Sequence, residues 1–485
     1  MYEEHAECNN LSGLLTQLGE SLEQYQRFEH PDAVTNVERW KSVLSGPVPS
    51  RGIGAEQVTA ELGADVIPNG SQISKPGCTS YITTAATDMG SIATLAGIVA
   101  SPQRIGVTAF NHLEGLSLQW LAQMFGLSDG MQGVFSSGGS TANLIGLGAA
   151  RQAAFERIGM DPASDGLQRA CRVYATEQSH HTIHRAVSVL GMGRNAMVHI
   201  AMDNMTRLCP DALRKQLLED KKIDAVPVAI VANAGSTNTG SVDPLQEIGE
   251  IAREHNIWFH VDGAYGLPGT LDPQVHDLYK GLALADSVTV DAHKWLGAPV
   301  GIGATFVRNY DALQHTFTQG EAHYISTTTV EAQHVENSMD AIGTPYHDLG
   351  VELSAPPRGT IVWALIREIG VDGIKDRICR HNAMAQRVAE QAKAHPNLEL
   401  ALEPTLSICC FRYVNEQATD LNALNKLIHR QLMKNGVNIP STTMVGDKLV
   451  IRPCFLGART DWHHADDLVN EVVEVGNKLI LEAAK

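Results

Sequence analysis

His260-Val261-Asp262-Gly263-Ala264-Tyr265 and, one strand later, Asp291-Ala292-His293-Lys294-Trp295 are the two stretches that decide how this chain is read. Each follows a short run of apolar and β-branched residues, Ile257–Val261 and Ser287–Val290, and each turns polar where the run stops. A lysine near a strand end is usually a solvated side chain, and an aspartate there is usually a turn former. Together they offer more: an amine able to condense with an aldehyde, and a carboxylate able to keep a ring nitrogen protonated.

Similar β-rich runs lie upstream at Cys171–Thr176, Met197–Ala201 and Val226–Ala232, separated by helix-length segments at Ser140–Arg157, Pro210–Asp220 and Pro244–His255. This alternation predicts a mostly parallel sheet covered by helices. Such sheets bind ligands beyond the carboxyl ends of their strands, where Asp262 and the Asp291–Lys294 turn fall. After about residue 350 the pattern becomes a long helix over Thr360–His395, then Leu398–Val414, a helix near Leu421–Asn435, a strand-like Lys448–Phe455 and a closing helix. We therefore divide the chain into an N-terminal arm (1–70), a large domain (71–350) and a smaller C-terminal α+β domain (351–485).

The sequence has 485 residues, 44% hydrophobic and 19% charged, with net charge −17, ample for a large core. No basic block is present to neutralise nucleic-acid phosphates, so no nucleic-acid partner is expected. The eight cysteines lack zinc or disulfide spacing, which points to a reduced, cytoplasmic setting. No apolar run reaches the ~18 residues of a membrane span.

Val134-Phe135-Ser136-Ser137-Gly138-Gly139-Ser140-Thr141-Ala142-Asn143 supplies an apolar lead-in, two glycines, hydroxyls and a helix start, a combination suited to a phosphate. With Asp262 and Lys294, it reads as a site for pyridoxal 5'-phosphate (PLP). Together with Glu177-Gln178-Ser179-His180 and Gly235-Ser236-Thr237, these segments resemble, in order, the group II PLP-dependent amino acid decarboxylases, the aromatic amino acid and glutamate decarboxylase-like family. The resemblance spans roughly residues 70 to 485 and implies an α/β architecture of the aspartate aminotransferase type (fold type I), working as a homodimer.

Carried over by residue, the resemblance implies that Gly139 and Ser140 hold the phosphate with help from His293, and that His180 stacks on the ring. Asp262 would pair with the ring nitrogen, Ala264 would pack beneath the ring, Thr237 would lie near it, and Lys294 would form the imine. His180 and His184 have i, i+4 spacing, but no third ligand is apparent and no metal is expected. Asp291 stands where the family commonly has Asn, and its role is left open.

The reaction implied is loss of CO2 from an L-amino acid, giving a quinonoid that is protonated at Cα to form the amine. The acid implied is a loop tyrosine, placed at Tyr346, with Tyr324 as second choice. An aldehyde synthase, transaminase or lyase on the same fold is the alternative, and a non-catalytic PLP-fold binding protein a further one. Arg452 is a candidate for orienting the substrate carboxylate, and Ser80-Tyr81-Ile82-Thr83-Thr84 with Gln103 and Phe110 form the expected pocket wall. Which amino acid is taken is not legible.

Overall fold

The computed structural model describes residues 10–318 and 343–483. The described residues up to Cys78 form one compact unit and those from Thr79 onward another. In the first, the helices Leu11–Tyr25, Val37–Leu44 and Ala55–Glu61 lead into short turns through Gln72–Ser74, and the Tyr25 hydroxyl donates to the Ser71 carbonyl at 2.6 Å.

Among the described residues, the larger unit is built on a seven-stranded sheet. In chain order its strands are β1 (Gln132–Ser136), β2 (Cys171–Ala175), β3 (Met197–His199), β4 (Val226–Asn233), β5 (Trp258–Asp262), β6 (Ser287–Asp291) and β7 (Gly303–Val307). They lie side by side as β1-β7-β6-β5-β4-β2-β3. β7 runs antiparallel to both of its neighbours, and the remaining strands run parallel to one another. Every residue of β5, β6 and β7 is buried, as expected where helices cover both faces of a sheet. That burial explains why β4 reads Val-Pro-Val-Ala-Ile-Val-Ala-Asn without polar alternation.

The register aligns the carboxyl ends: Asn233 pairs with Asp262, Asp262 with Thr289, Asp291 with Gly303, and Ser136 with Gly303. Polar side chains that are remote in sequence thus share one edge. The Gly139–Glu156 helix, which starts directly after β1, packs against β4, β6 and β7.

The single helix expected over 360–395 is observed as Arg358–Ala394, interrupted at Gly370, whose φ of 67° breaks the helical path. Its first part packs on Ala109–Met124, and its second enters a second apolar cluster of the same unit, built with the strands and helices that follow it. There the strands β8 (Leu398–Leu402), β9 (Cys410–Tyr413), β10 (Ile439–Val445) and β11 (Lys448–Arg452) pair antiparallel in the order β10-β11-β9-β8. The helices Leu421–Asn435 and Trp462–Ala483 cover them.

A buried ion pair ties the helical layer to the segment after β7. Arg104 Nη1 lies 3.3 Å from Glu114 Oε1, with both side chains almost fully buried, and Glu114 Oε2 accepts from the Gly359 N–H at 2.6 Å. Burial pushes the Glu114 carboxyl up, against the pull of Arg104. Removing one partner strands the other charge, so Glu114→Ala is expected to cost about 3–5 kcal/mol of unfolding free energy. Denaturant titration of the purified variant measures the loss.

Candidate active site

The strand ends and the Gly139 helix start surround a cavity of about 410 Å³, within the range of small-molecule sites. Asp262, Lys294, His180, Gly139, Ser140, Thr237, Ala264 and His293 all line it.

Asp262 closes β5 and is 7% exposed. Its Oδ2 accepts from Asn143 Nδ2 at 3.0 Å, and its Oδ1 accepts from the Ala264 N–H at 3.1 Å. The Thr289 hydroxyl lies 3.3 Å from the same Oδ1. The carboxylate is held by the Asn143 amide and the Ala264 N–H, with Thr289 beside it and its edge on the cavity, an arrangement suited to face a cationic ring nitrogen.

Lys294 sits in the turn that joins β6 to β7. The turn is closed by the Lys294 N–H to Asp291 carbonyl bond at 3.2 Å and by the Gly297 N–H to Lys294 carbonyl bond at 3.1 Å. The next residue, Trp295, is fully buried, stacks on Tyr265 at 5.0 Å and donates its indole N–H to His381 Nδ1 at 3.1 Å. This anchor holds the lysine at the cavity rather than in solvent. Lys294 Nζ lies 3.0 Å from Asp291 Oδ2, while Asp291 Oδ1 is buried with no hydrogen-bond partner among the described residues. His293 Nδ1 donates to the Ile302 carbonyl at 3.0 Å, since a carbonyl only accepts.

The helix start is shaped by glycine. Gly138 has φ 117°, and a Cβ on Gly139 would lie 2.6 Å from Asp291 Oδ2. Gly138 at the N-cap supplies no capping side chain, so among the described residues the N–H groups of the first turn are left for an anion. These features fit PLP: uncapped donors for a phosphate, a carboxylate for the ring nitrogen and an amine for the aldehyde.

His180 precedes the His181–Val189 helix, with Nδ1 2.9 Å from Thr182 Oγ1. Burial lowers its pKa against the opposing pull of Asp262, which favours a neutral ring. Its i, i+4 partner His184 instead stacks on His199 at 5.3 Å. Among the described residues, no three His, Cys, Asp or Glu side chains gather as a metal site. Arg452 reaches the cavity, but its guanidinium already donates to the Thr237, Asn238 and Ser80 carbonyls.

Other expected residues lie elsewhere. Ser80, Tyr81 and Ile82 line the cavity, whereas Thr83, Thr84, Gln103 and Phe110 do not. Tyr346, placed from the sequence on a polar loop, begins the short 3-10 helix Tyr346–Leu349 and is 7% exposed. Its hydroxyl packs on the Ala109–Met124 helix, where a Cβ on Gly115 would come within 2.6 Å, and it lines a different cavity beside Leu118 and Phe306. Tyr324 lies outside the described residues. Tyr346→Phe is accordingly expected to leave the ratio of amine to aldehyde product unchanged, while Gly115→Ala lowers thermal stability by overpacking; product chromatography and a melting curve test the pair.

Asn143 and Thr289 were not singled out as Asp262 partners from the sequence. The available signal was the i, i+3 placement of Asn143 after Ser140, which keeps it on one helix side.

Residues 56–414 match the family model described as the pyridoxal-dependent decarboxylase conserved domain. The chain is 29% identical over 429 residues to an aromatic-L-amino-acid decarboxylase of Bacillus atrophaeus, covering 87% of this chain and 85% of the relative. It is 27% identical over 435 residues to an L-2,4-diaminobutyrate decarboxylase of Rhizobium meliloti (strain 1021), covering 88% and 82%, and 26% identical over 454 residues to a 4-hydroxyphenylacetaldehyde synthase of Rhodiola rosea, covering 90% and 88%. Among solved structures, Oryza sativa TDC with PLP and tryptamine superposes with a TM-score of 0.86 at 21% identity over 98% of this chain and 99% of that one, a likeness of fold. The chain belongs to the pyridoxal-dependent decarboxylase family, fold type I lyases that act on amino acids with pyridoxal 5'-phosphate.

Proposed function

We propose that the protein decarboxylates an L-amino acid and returns the amine, with Lys294 as the covalent anchor of the cofactor. The observation that carries this reading is the convergence of Lys294, Asp262 and the uncapped Gly139 helix start on one cavity. In this reading Gly139, Ser140 and His293 hold the phosphate, His180 lies on the ring face, Ala264 packs beneath it, Thr237 borders it and Asp262 takes the ring nitrogen. When bound, PLP supplies an electron sink for the carbon that loses CO2.

The chain's own groups then orient and exchange protons. Asp291 Oδ2, 3.0 Å from Lys294 Nζ, orients the amine before the cofactor arrives. His180, kept neutral by burial, presents a flat uncharged face. Arg452, committed to three carbonyls, fixes the Thr237–Asn238 turn rather than clamping a substrate carboxylate, which weighs against a transaminase. The proton for Cα must come from a group at the cavity, and with Tyr346 packed elsewhere, Tyr324 becomes the tyrosine to substitute.

A screen of the holoenzyme against the twenty common amino acids and cysteine sulfinate, measuring CO2 and amine together, tests the reading. Equimolar amine and CO2 support it; aldehyde with peroxide favours the synthase reading, which the likeness to the Rhodiola enzyme keeps in view. Keto acid without CO2 defeats both.

We also infer a homodimer. Ile92, Ile98 and Val99 on the Asp88–Ala100 helix are about 60% exposed, and Tyr81 and Val300 at the cavity rim are 62% and 75% exposed, an apolar surface suited to a second copy. Sedimentation should give twice the 52.3 kDa chain mass, with specific activity falling on dilution below the dissociation constant. A fully active monomer overturns this.

A further inference from the structure

Behind Asp262, a row of five buried side chains passes hydrogen bonds in one direction. Trp258 Nε1 lies 2.7 Å from Ser287 Oγ, and Ser287 Oγ lies 2.7 Å from His260 Nδ1. His260 Nε2 lies 2.9 Å from Asn143 Oδ1, and Asn143 Nδ2 lies 3.0 Å from Asp262 Oδ2. The two ends fix the sense of the row, because an indole N–H only donates and an ionised carboxylate only accepts.

From the carboxylate end, Asn143 must turn its NH2 toward Asp262 and its oxygen toward His260, so His260 Nε2 carries a proton. His260 is fully buried, and burial lowers its pKa to about 4, so the ring is neutral and Nδ1 is left as an acceptor. From the indole end, Ser287 accepts from Trp258 and has its own proton free for Nδ1. Both ends arrive at the same tautomer. Two hydroxyls border the amide and suit this orientation without selecting it: Thr182 lies 3.3 Å from Asn143 Nδ2 and can accept, and Thr289 lies 3.3 Å from both Asn143 Oδ1 and Asp262 Oδ1 with one proton for the two. Gly146 makes room for the row, since a Cβ there would sit 2.8 Å from His260 Cε1.

We propose that Trp258, Ser287 and His260 are positioning residues that lock the Asn143 amide with its NH2 on Asp262, and thereby set how Asp262 meets the cofactor's ring nitrogen. A reversed amide would place its oxygen against the carboxylate and its NH2 against the His260 N–H, exchanging two attractions for two repulsions. The proposal rests on the Asp262 reading given above. It goes further in giving the interior of β5 and β6 a part in tuning that nitrogen.

The test uses holoenzyme loaded with PLP labelled with 15N in the ring, following the ring-nitrogen NMR shift and the kcat–pH profile. His260→Leu is expected to move the shift toward the unprotonated position and to lower kcat roughly ten- to a hundredfold, the scale of losing an outer partner, with KM little changed. His260→Gln, which keeps a donor for Asn143, should recover most of both, and Ser287→Ala should move both in the same direction as His260→Leu. A folded His260→Leu enzyme with the wild-type shift and pH profile overturns the proposal, as do Leu and Gln variants equally slow with an unmoved shift. If His260→Leu does not fold, Ser287→Ala decides by the same two readouts. Asp262→Ala in parallel separates the layers: an unmoved shift there overturns the Asp262 reading itself, and this proposal with it.

Discussion

Lys294→Ala should yield a folded chain that carries no covalently attached cofactor and turns over slower by on the order of 10³–10⁴-fold. The expectation rests on position: Trp295 is locked into the core by Tyr265 and His381, so the side chain before it is delivered to the cavity whatever the solvent. Borohydride reduction of the wild-type holoenzyme followed by peptide mapping should place the pyridoxyl label on Lys294. A label on any other lysine sinks the assignment. The substitution also strips Asp291 of its 3.0 Å partner, leaving a buried carboxylate with neither oxygen matched to a cation at that distance. Lys294→Ala should therefore also melt earlier in the cofactor-free form, and Asp291→Asn introduced into it should recover part of that loss.

Asp262→Ala is expected to show the opposite division: attachment at Lys294 retained, turnover lost by on the order of 10²–10⁴-fold. Without the carboxylate, nothing at that wall of the cavity compensates positive charge on the ring nitrogen, and the electron sink weakens. Asp262→Asn keeps the shape and should be nearly as slow. An enzyme of near-normal kcat in either variant removes Asp262 from the mechanism.

The parallel strands were legible because burial on both faces writes continuous apolar runs, and Val226–Ala232 and Cys171–Thr176 differ from the observed β4 and β2 by one residue at the carboxyl end. β7 was not read: Gly303-Ala304-Thr305-Phe306-Val307 carries no signal of its own direction, which is decided by pairing with β1 and β6. The strand-end position of Asp262 and Lys294 followed from where apolar runs stop. Asn143 did not, because its partner lies 119 residues away and helix periodicity says only which side it occupies. Tyr346 shows the limit of counting along a chain: whether an aromatic faces a loop or a core is a tertiary fact, and Gly115 opposite it leaves the space that draws the ring inward.

The position of β7 also bears on when the protein can capture its cofactor during synthesis. β1, which delivers the Gly138–Gly139 helix start, has β7 as its one neighbour among the described strands of the sheet. A nascent chain that has emerged only as far as Lys294 already holds the amine, the carboxylate and every parallel strand, yet β1 lacks its paired strand and the Gly139 helix start is held through the packing of its helix on β4, β5 and β6. Gln132 meets Val307 across this pairing, a separation that makes closure a late, non-local event on the ribosome. Cofactor loading then reports completion of the sheet, and truncations ending before β7 should emerge without it.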